Sequence, residues 1–240
     1  MFDSDIFNNA RTAEVDSPIV GLSISSGFLA LGIVGAALLT NGSALVPLLI
    51  FGVAVVLVMR GLRYSYPHNI FGLCNVVTLV RAAMVAFLAG AVIDATVSGW
   101  LVFWVAAAAF SLDGIDGWLA RRAGLTSQFG ARFDMETDAL LAAVLAMWLL
   151  ATGTTGPEIL VLGFMRYLFC AASFFVTPLR ADLPVSFRRK AICVIQIGAL
   201  IALLFPMTPE FLAAPVSIFA AILLCWSFAV DINWLLRRAT

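Results

Sequence analysis

Apolar residues run along this chain in long blocks, near 19–38, 43–59, 76–97, 99–122, 131–152, 158–178, 190–205 and 212–236, separated by short polar stretches. A helix needs about 17 to 25 predominantly apolar residues to cross the hydrocarbon core of a bilayer. The pattern therefore predicts an all-α integral membrane protein of about eight transmembrane helices. Turn-forming runs join the blocks: Thr40-Asn41-Gly42-Ser43, Gly153-Thr154-Thr155-Gly156-Pro157 and Pro206-Met207-Thr208-Pro209. The second block is short and contains Pro47, and no connection is long enough for a separate globular domain.

Composition agrees with this reading. Hydrophobic residues make up 62% of the 240 and charged residues 12%, with a mean hydropathy of +1.05, which excludes an ordinary soluble domain. The first eighteen residues carry Asp3, Asp5, Glu14 and Asp16 against Arg11 alone, the reverse of the basic start of a cleavable signal peptide, so none is expected. Cys74, Cys170, Cys193 and Cys225 lie far apart without metal or redox spacing. They are expected as small buried hydrophobes.

The net charge of zero hides an asymmetry. Of the 14 basic residues, all but Arg166 fall on or near one side of the predicted spans: at the two termini and in the loops near 60–75, 121–132 and 179–190. The opposite loops carry Asp94, Glu158 and Glu210 and no base. Basic loops stay in the cytoplasm, so both termini are expected there. The longest basic run is Arg188-Arg189-Lys190, and no nucleic-acid partner is implied.

Chemistry concentrates where the fourth and fifth blocks meet. Asp113, Asp116, Gly117, Ala120 and Arg121 fall on one helical stripe, and Gly130, Asp134 and Asp138 repeat at steps of four on the next helix. Facing stripes would bring four carboxylates together. An acid at mid-membrane costs about 2.5 to 3.5 kcal/mol on insertion scales, so such a group needs compensation. Carboxylate oxygens are the hard ligands Mg²⁺ prefers, and two such ions can clamp both oxygens of a phosphoryl transfer. Taken alone, Asp113 and Asp116 would also suit a polar helix end or a salt bridge to Arg121 or Arg122; the matched spacing of Asp134 and Asp138 argues against that. Gly114, Gly117, Ala120 and Gly130 leave room for close approach, Arg121 offers a fork for a diphosphate, and Glu136 lies off the stripe.

The run from Asp113 to Asp138 fills every fixed position of D-x2-D-G-x2-A-R-x8-G-x3-D-x3-D and resembles the signature of CDP-alcohol phosphotransferases. Upstream, Asn75, Thr78 and Arg81 resemble that family's N-x2-T-x2-R element, with Cys74 where a proline is common. The resemblance covers residues 70–240 as a six-helix catalytic core. Residues 1–69 lie outside it, with two extra N-terminal helices whose Gly21, Ser23, Ser25, Ser26 and Gly27 suit bracing or assembly. It implies transfer of a substituted phosphate from a CDP-linked donor, usually CDP-diacylglycerol, to an alcohol, with release of CMP. Two Mg²⁺ ions, or Mn²⁺, would be held by Asp113, Asp116, Asp134 and Asp138, with Asp138 as ligand, base or both. Asn75, Thr78, Gly117, Ala120, Arg121 and Gly130 would surround the CDP, although helix capping is an equal reading for Asn75. A homodimer in a bacterial inner membrane, its site facing the cytoplasm, is the further expectation.

Arg166 lies mid-span, where a guanidinium wants either substrate phosphate or a carboxylate. Arg180, Arg188, Arg189 and Lys190 suit either an acceptor phosphate or attraction to anionic lipid. The cluster favours a phosphorylated acceptor, glycerol 3-phosphate or inositol phosphate, over serine or choline. His68 is not expected as a ligand. An ion-coupled transporter or channel is the alternative reading, because intramembrane acids also line ion pathways. Against it stand the absence of internal repetition and the clustering of the acids near one face.

Overall fold

The computed structural model describes residues 4–94, 96–181, 183–184 and 186–239, with side chains between Pro18 and Arg238; the acidic start and Arg11 lie outside the described side chains. Among the described residues eight α-helices follow one another: α1 (Ser4–Leu39), α2 (Leu45–Ser65), α3 (Gly72–Ile93), α4 (Gly99–Ala123), α5 (Gln128–Ala151), α6 (Ile159–Phe175), α7 (Phe187–Leu204) and α8 (Glu210–Ala239). A 3₁₀ turn (Thr177–Arg180) follows α6, and no strand occurs among the described residues.

Among the described residues five segments are long and apolar enough to cross a membrane: Pro18–Leu39, α2, α3, α4 and most of α8. The protein is an integral membrane protein, as the hydrophobic pattern predicts. Three helices meet the requirement less fully, each for a local reason. α6 has 17 residues; α5 carries Arg132, Asp134, Glu136 and Asp138 in its first turns; α7 opens on Arg188, Arg189 and Lys190.

Several helix ends differ from those of the apolar blocks because polar contacts decide them. α1 begins well before its block and runs through Pro18. Pro47 falls in the first turn of α2, where a missing N–H costs no intrahelical bond. α3 starts earlier than its block, at Gly72, which has φ +72° and where a Cβ would lie 2.7 Å from Leu125 Cδ1. It stops at Asp94, whose carboxylate accepts the Ser43 N–H at 2.9 Å and the Thr96 hydroxyl at 2.8 Å. These bonds, the Ser43 N–H foremost, hold Asp94 below the ordinary carboxylate value. Their contribution is present at neutral pH and is lost as the pH falls through that lowered value. α6 closes at Phe175, before the turn containing Pro178.

The chain forms two compact units, one of Met1–Val97 with Val105–Asp138 and the other of Ser98–Trp104 with Ala139–Thr240. In the first, α1, α2 and α3 pack against one another. Leu22, Ile33, Phe51, Val58, Leu62, Leu79, Ala83, Ala86 and Phe129 are among the residues of its core. Close approach depends on glycine: a Cβ at Gly61 would sit 2.2 Å from the Phe129 ring, and one at Gly90 would sit 2.4 Å from Pro47. Gly21 lies against Phe71, whereas Gly27 has open space around it.

In the second unit α8 packs on α6 and α7. Gly163 lets α6 approach α5, since a Cβ there would lie 2.7 Å from that of Ala146. Trp100, Phe103 and Phe205 meet edge to face with centroids 5.3 Å apart in the pairs with Phe205. The expectation for the cysteines needs correction. Cys74 is buried, but Cys170 and Cys225 are exposed and Cys193 is intermediate, all four without a disulfide. In a spanning helix the outer face meets lipid, so a small apolar side chain gains nothing by turning inward.

Replacing Gly61 by Val should destabilise the protein by about 1 to 3 kcal/mol, the usual cost of overpacking. Gly52→Val, on the same helix but with open space around it, controls for β-branching. Thermal unfolding in detergent should show a lower Tm for Gly61→Val alone.

Candidate active site

All four predicted carboxylates converge in the first unit, and the residue that joins them is Arg81 of α3. Its side chain is 1% exposed. Nε donates to the Ala109 carbonyl at 3.0 Å. Nη1 reaches Asp116 Oδ2 at 3.0 Å and also Asp134; Nη2 reaches Asp113 Oδ1 at 3.1 Å and also Asp138. A guanidinium has five N–H groups, and here five oxygens from α4 and α5 surround it. The acids thus pair with a base on α3, not with Arg121 or Arg122.

Arg81 enters the sequence only as the last position of N-x2-T-x2-R and was not among the expected site residues. Its signal was a base just inside the start of an apolar block, with no acid on its own helix. Thr78, one turn earlier, is buried, with its hydroxyl 2.9 Å from Asp116 Oδ2 and 3.1 Å from the Cys74 carbonyl. That places it as a support for Asp116. Asn75 is also buried, and since α3 begins at Gly72 it does not cap the helix. Its amide donates to the Phe71 carbonyl at 2.5 Å and to the Tyr66 hydroxyl at 2.9 Å. Tyr66 in turn donates to the Ile70 carbonyl at 2.9 Å; burial pushes its phenol above the ordinary value, so it stays a donor.

The small residues of the motif line the same region. A Cβ on Gly117 would meet Arg121 Nη1 at 3.3 Å, so the Arg121 guanidinium folds back over the glycine. A Cβ on Gly130 would lie 3.2 Å from Ser127 Oγ and 3.6 Å from Asn75 Oδ1. Gly114 has open space, and Ala120 is half-buried. A side chain at Gly117 would therefore press on Arg121, and one at Gly130 on Ser127.

The residues fit a divalent cation. Asp113, Asp116 and Asp134 each bring one carboxylate oxygen within 4.8 Å of the others. Oxygens sharing one Mg²⁺ at about 2.1 Å lie roughly 3 to 4 Å apart, so a small closure suffices. Four ionised carboxylates against one guanidinium would leave three negative charges, which bound divalent cations can balance.

The remaining expected residues belong to the second unit. Arg166 is half-buried in the middle of α6. Arg180 donates to the Ser173 and Phe174 carbonyls at 2.8 and 2.7 Å, closing the end of α6. Arg188 is held from α8: its Nη1 donates to Ser227 O at 2.7 Å, its Nη2 to Asp231 Oδ1 at 2.5 Å, and its guanidinium lies 5.5 Å over Trp226. Arg189 bonds the Pro184 carbonyl and lies 3.8 Å from Asp231. Lys190 is exposed. Asp231, which sequence reasoning left aside, is thus the counter-ion of this cluster; an acid in the eighth apolar block was its signal.

Fold and site together define a helical membrane protein with a cluster of carboxylates that could hold a metal ion. The family of CDP-alcohol phosphatidyltransferases matches over residues 71–232, and the chain belongs to that family. No individual curated protein and no solved structure matches it. Family membership makes the protein a metal-dependent CDP-alcohol phosphotransferase of phospholipid synthesis, with a CDP-alcohol donor, an alcohol acceptor and a lipid environment. Between a transporter and a transferase, it decides for the transferase.

Because Arg188 is fixed by Asp231 and Ser227, Arg188→Ala should cost about 1 to 3 kcal/mol of stability, while Lys190→Ala should change it little. Thermal unfolding of both variants separates a structural base from one that is free to meet a ligand.

Proposed function

We propose that the protein transfers the phosphatidyl group of CDP-diacylglycerol to a phosphorylated alcohol, glycerol 3-phosphate or inositol phosphate, and releases CMP. The observation that carries this reading is the convergence of Asp113, Asp116, Asp134 and Asp138 around one buried cation inside apolar helices. The acceptor oxygen forms a bond to the lipid-side phosphorus, the bond from that phosphorus to CMP breaks, and the hydroxyl proton leaves to a base or solvent.

The four aspartates would hold two Mg²⁺ ions, with Mn²⁺ an acceptable substitute. When bound, these supply Lewis-acid polarisation of the diphosphate and the acceptor hydroxyl. With all four aspartates ionised beside Arg81, two dications would leave the site one net positive charge, which suits an anionic diphosphate. Asp138 orients the acceptor hydroxyl as well as ligating. Thr78 keeps Asp116 aimed, and Asn75 lies beside Gly130. Gly117, Ala120 and Gly130 leave the volume that CDP requires, with Arg121 beside its phosphates. Arg166, Arg189 and Lys190 are the bases assigned to the acceptor phosphate; Arg180 and Arg188 contribute through the framework they hold.

In this reading residues 70–240 are the catalytic core and residues 1–69 an accessory pair of helices. The site and both termini face the cytoplasm of a bacterial inner membrane, supported by the one-sided basic loops. The homodimer rests on the family resemblance. Purified protein given CDP-diacylglycerol, Mg²⁺ and a panel of alcohols should convert only the phosphorylated acceptors, as read from the masses of the lipid products. Turnover of serine or choline alone would reassign the acceptor, and absence of CMP release with every CDP-alcohol would overturn the proposal.

Asp113→Asn, Asp134→Asn and Asp138→Asn should each lower CMP release by about a hundredfold or more at saturating Mg²⁺, the scale for losing a charge stabiliser at the reacting centre. Near wild-type turnover in these variants would refute the two-metal assignment. For topology, single cysteines on a cysteine-free background are decisive. Membrane-impermeant reagents added outside should label Ser43→Cys and Thr154→Cys, both at exposed positions, and spare exposed Thr126→Cys. The opposite pattern would turn the site away from the cytoplasm.

A further inference from the structure

Arg81 has no assigned part in the reaction, yet it is the best-coordinated side chain near the acids. We infer that Arg81 is a positioning residue that acts as a built-in counter-cation: it holds the four carboxylates together before metal arrives and competes with metal for their oxygens. The inference rests on the metal-site reading above and deepens it.

Three observations carry it. First, the Arg81 guanidinium makes four hydrogen bonds, to one backbone and three carboxylate oxygens, and an ion pair with Asp113, so its charge is wholly committed to the cluster. Second, the carboxylates come from two helices, two from α4 and two from α5, while Arg81 comes from a third; without it, four like charges would face one another at close range and push those helices apart. Third, the oxygens it engages on Asp113, Asp116 and Asp134 belong to the three residues whose carboxylates approach closely enough to share an ion. A cation arriving there meets carboxylates already paired with a fixed positive charge. Its binding must therefore weaken those pairs, and the affinity of the site is set by the difference.

Arg81 would thus do two opposing things. It keeps the site assembled in low metal, and it makes each ion bind less tightly than four bare carboxylates would allow. A residue that served only as structural filling would do the first and not the second.

The test uses the full-length protein in detergent or nanodiscs, with Mn²⁺ as the probe. Thermal unfolding is followed in EDTA and across a Mn²⁺ titration, and Mn²⁺ affinity is read by electron paramagnetic resonance, for wild type, Arg81→Gln and Arg81→Lys. In EDTA, Arg81→Gln should unfold at a clearly lower temperature than wild type. Saturating Mn²⁺ should restore most of the difference, so that the metal-induced rise in Tm is larger in the variant. Its Mn²⁺ affinity should be tighter by about tenfold or more, as expected when a unit positive charge a few Å away is removed. Arg81→Lys, which keeps the charge with three donors in place of five, should fall between the two, and it carries the test if Arg81→Gln cannot be purified even with Mn²⁺ present.

A variant affinity equal to or weaker than that of wild type would overturn the competition, and an unchanged Tm in EDTA would overturn the assembling role. Wild-type protein that binds no Mn²⁺ would instead overturn the metal-site reading itself. Failure of the one idea is therefore distinguishable from failure of the other.

Discussion

An ionised group inside a membrane helix must find opposite charge, because water is not there to solvate it. The contact of Arg81 with Asp113, Asp116, Asp134 and Asp138 meets that requirement for five residues at once. Much else follows from it. α3, α4 and α5 have to approach closely enough for a guanidinium on one to touch carboxylates on two others. Thr78 orients one of those carboxylates from the same face of α3. Glycine and alanine occupy the motif positions next to the acids, so no bulky side chain stands there.

The fold was legible in the sequence because its driving pattern is coarse. Blocks of apolar residues identify spanning helices with little help from neighbours, and all eight helices overlap the blocks that announce them. Their ends were not legible to the same degree. α3 is displaced towards the amino terminus relative to its block because Gly72 opens it in a left-handed conformation and Asp94 closes it through bonds to Ser43 and Thr96. Those partners lie in other turns, and periodicity along one helix carries no information about them.

The site divides in the same way. The four acids could be found because their spacing repeats along two adjacent helices. Their partner could not, since Arg81 lies on a different helix and pairing across helices is a three-dimensional fact. The basic cluster at the start of α7 shows the converse. Its charge suggested a ligand, yet Arg188 is bound by Ser227 and Asp231 of α8, and Arg180 closes the end of α6. A base on the basic side of the spans serves the topology rule, a protein contact and a ligand in different proportions, and only the contacts apportion them. The cysteines make a related point: aversion to water does not imply burial in protein when the surroundings are lipid.

The packing of α1 and α2 against α3 bears on what an ancestral or minimal form of this protein would look like. A chain cut back to residue 70 would still present an apolar α3 to the bilayer, and lipid tails would cover it without a penalty for polarity. Shape would be the casualty. The notches at Gly90 and beside Phe129, now filled by Pro47 and the backbone of Gly61, would face disordered acyl chains that cannot conform to them, and Asn75 would lose the Tyr66 hydroxyl. The two leading helices are therefore less a removable appendage than a mould for the helix that carries Arg81, and a graft of the core onto a different leading pair would have to reproduce their contour before their chemistry.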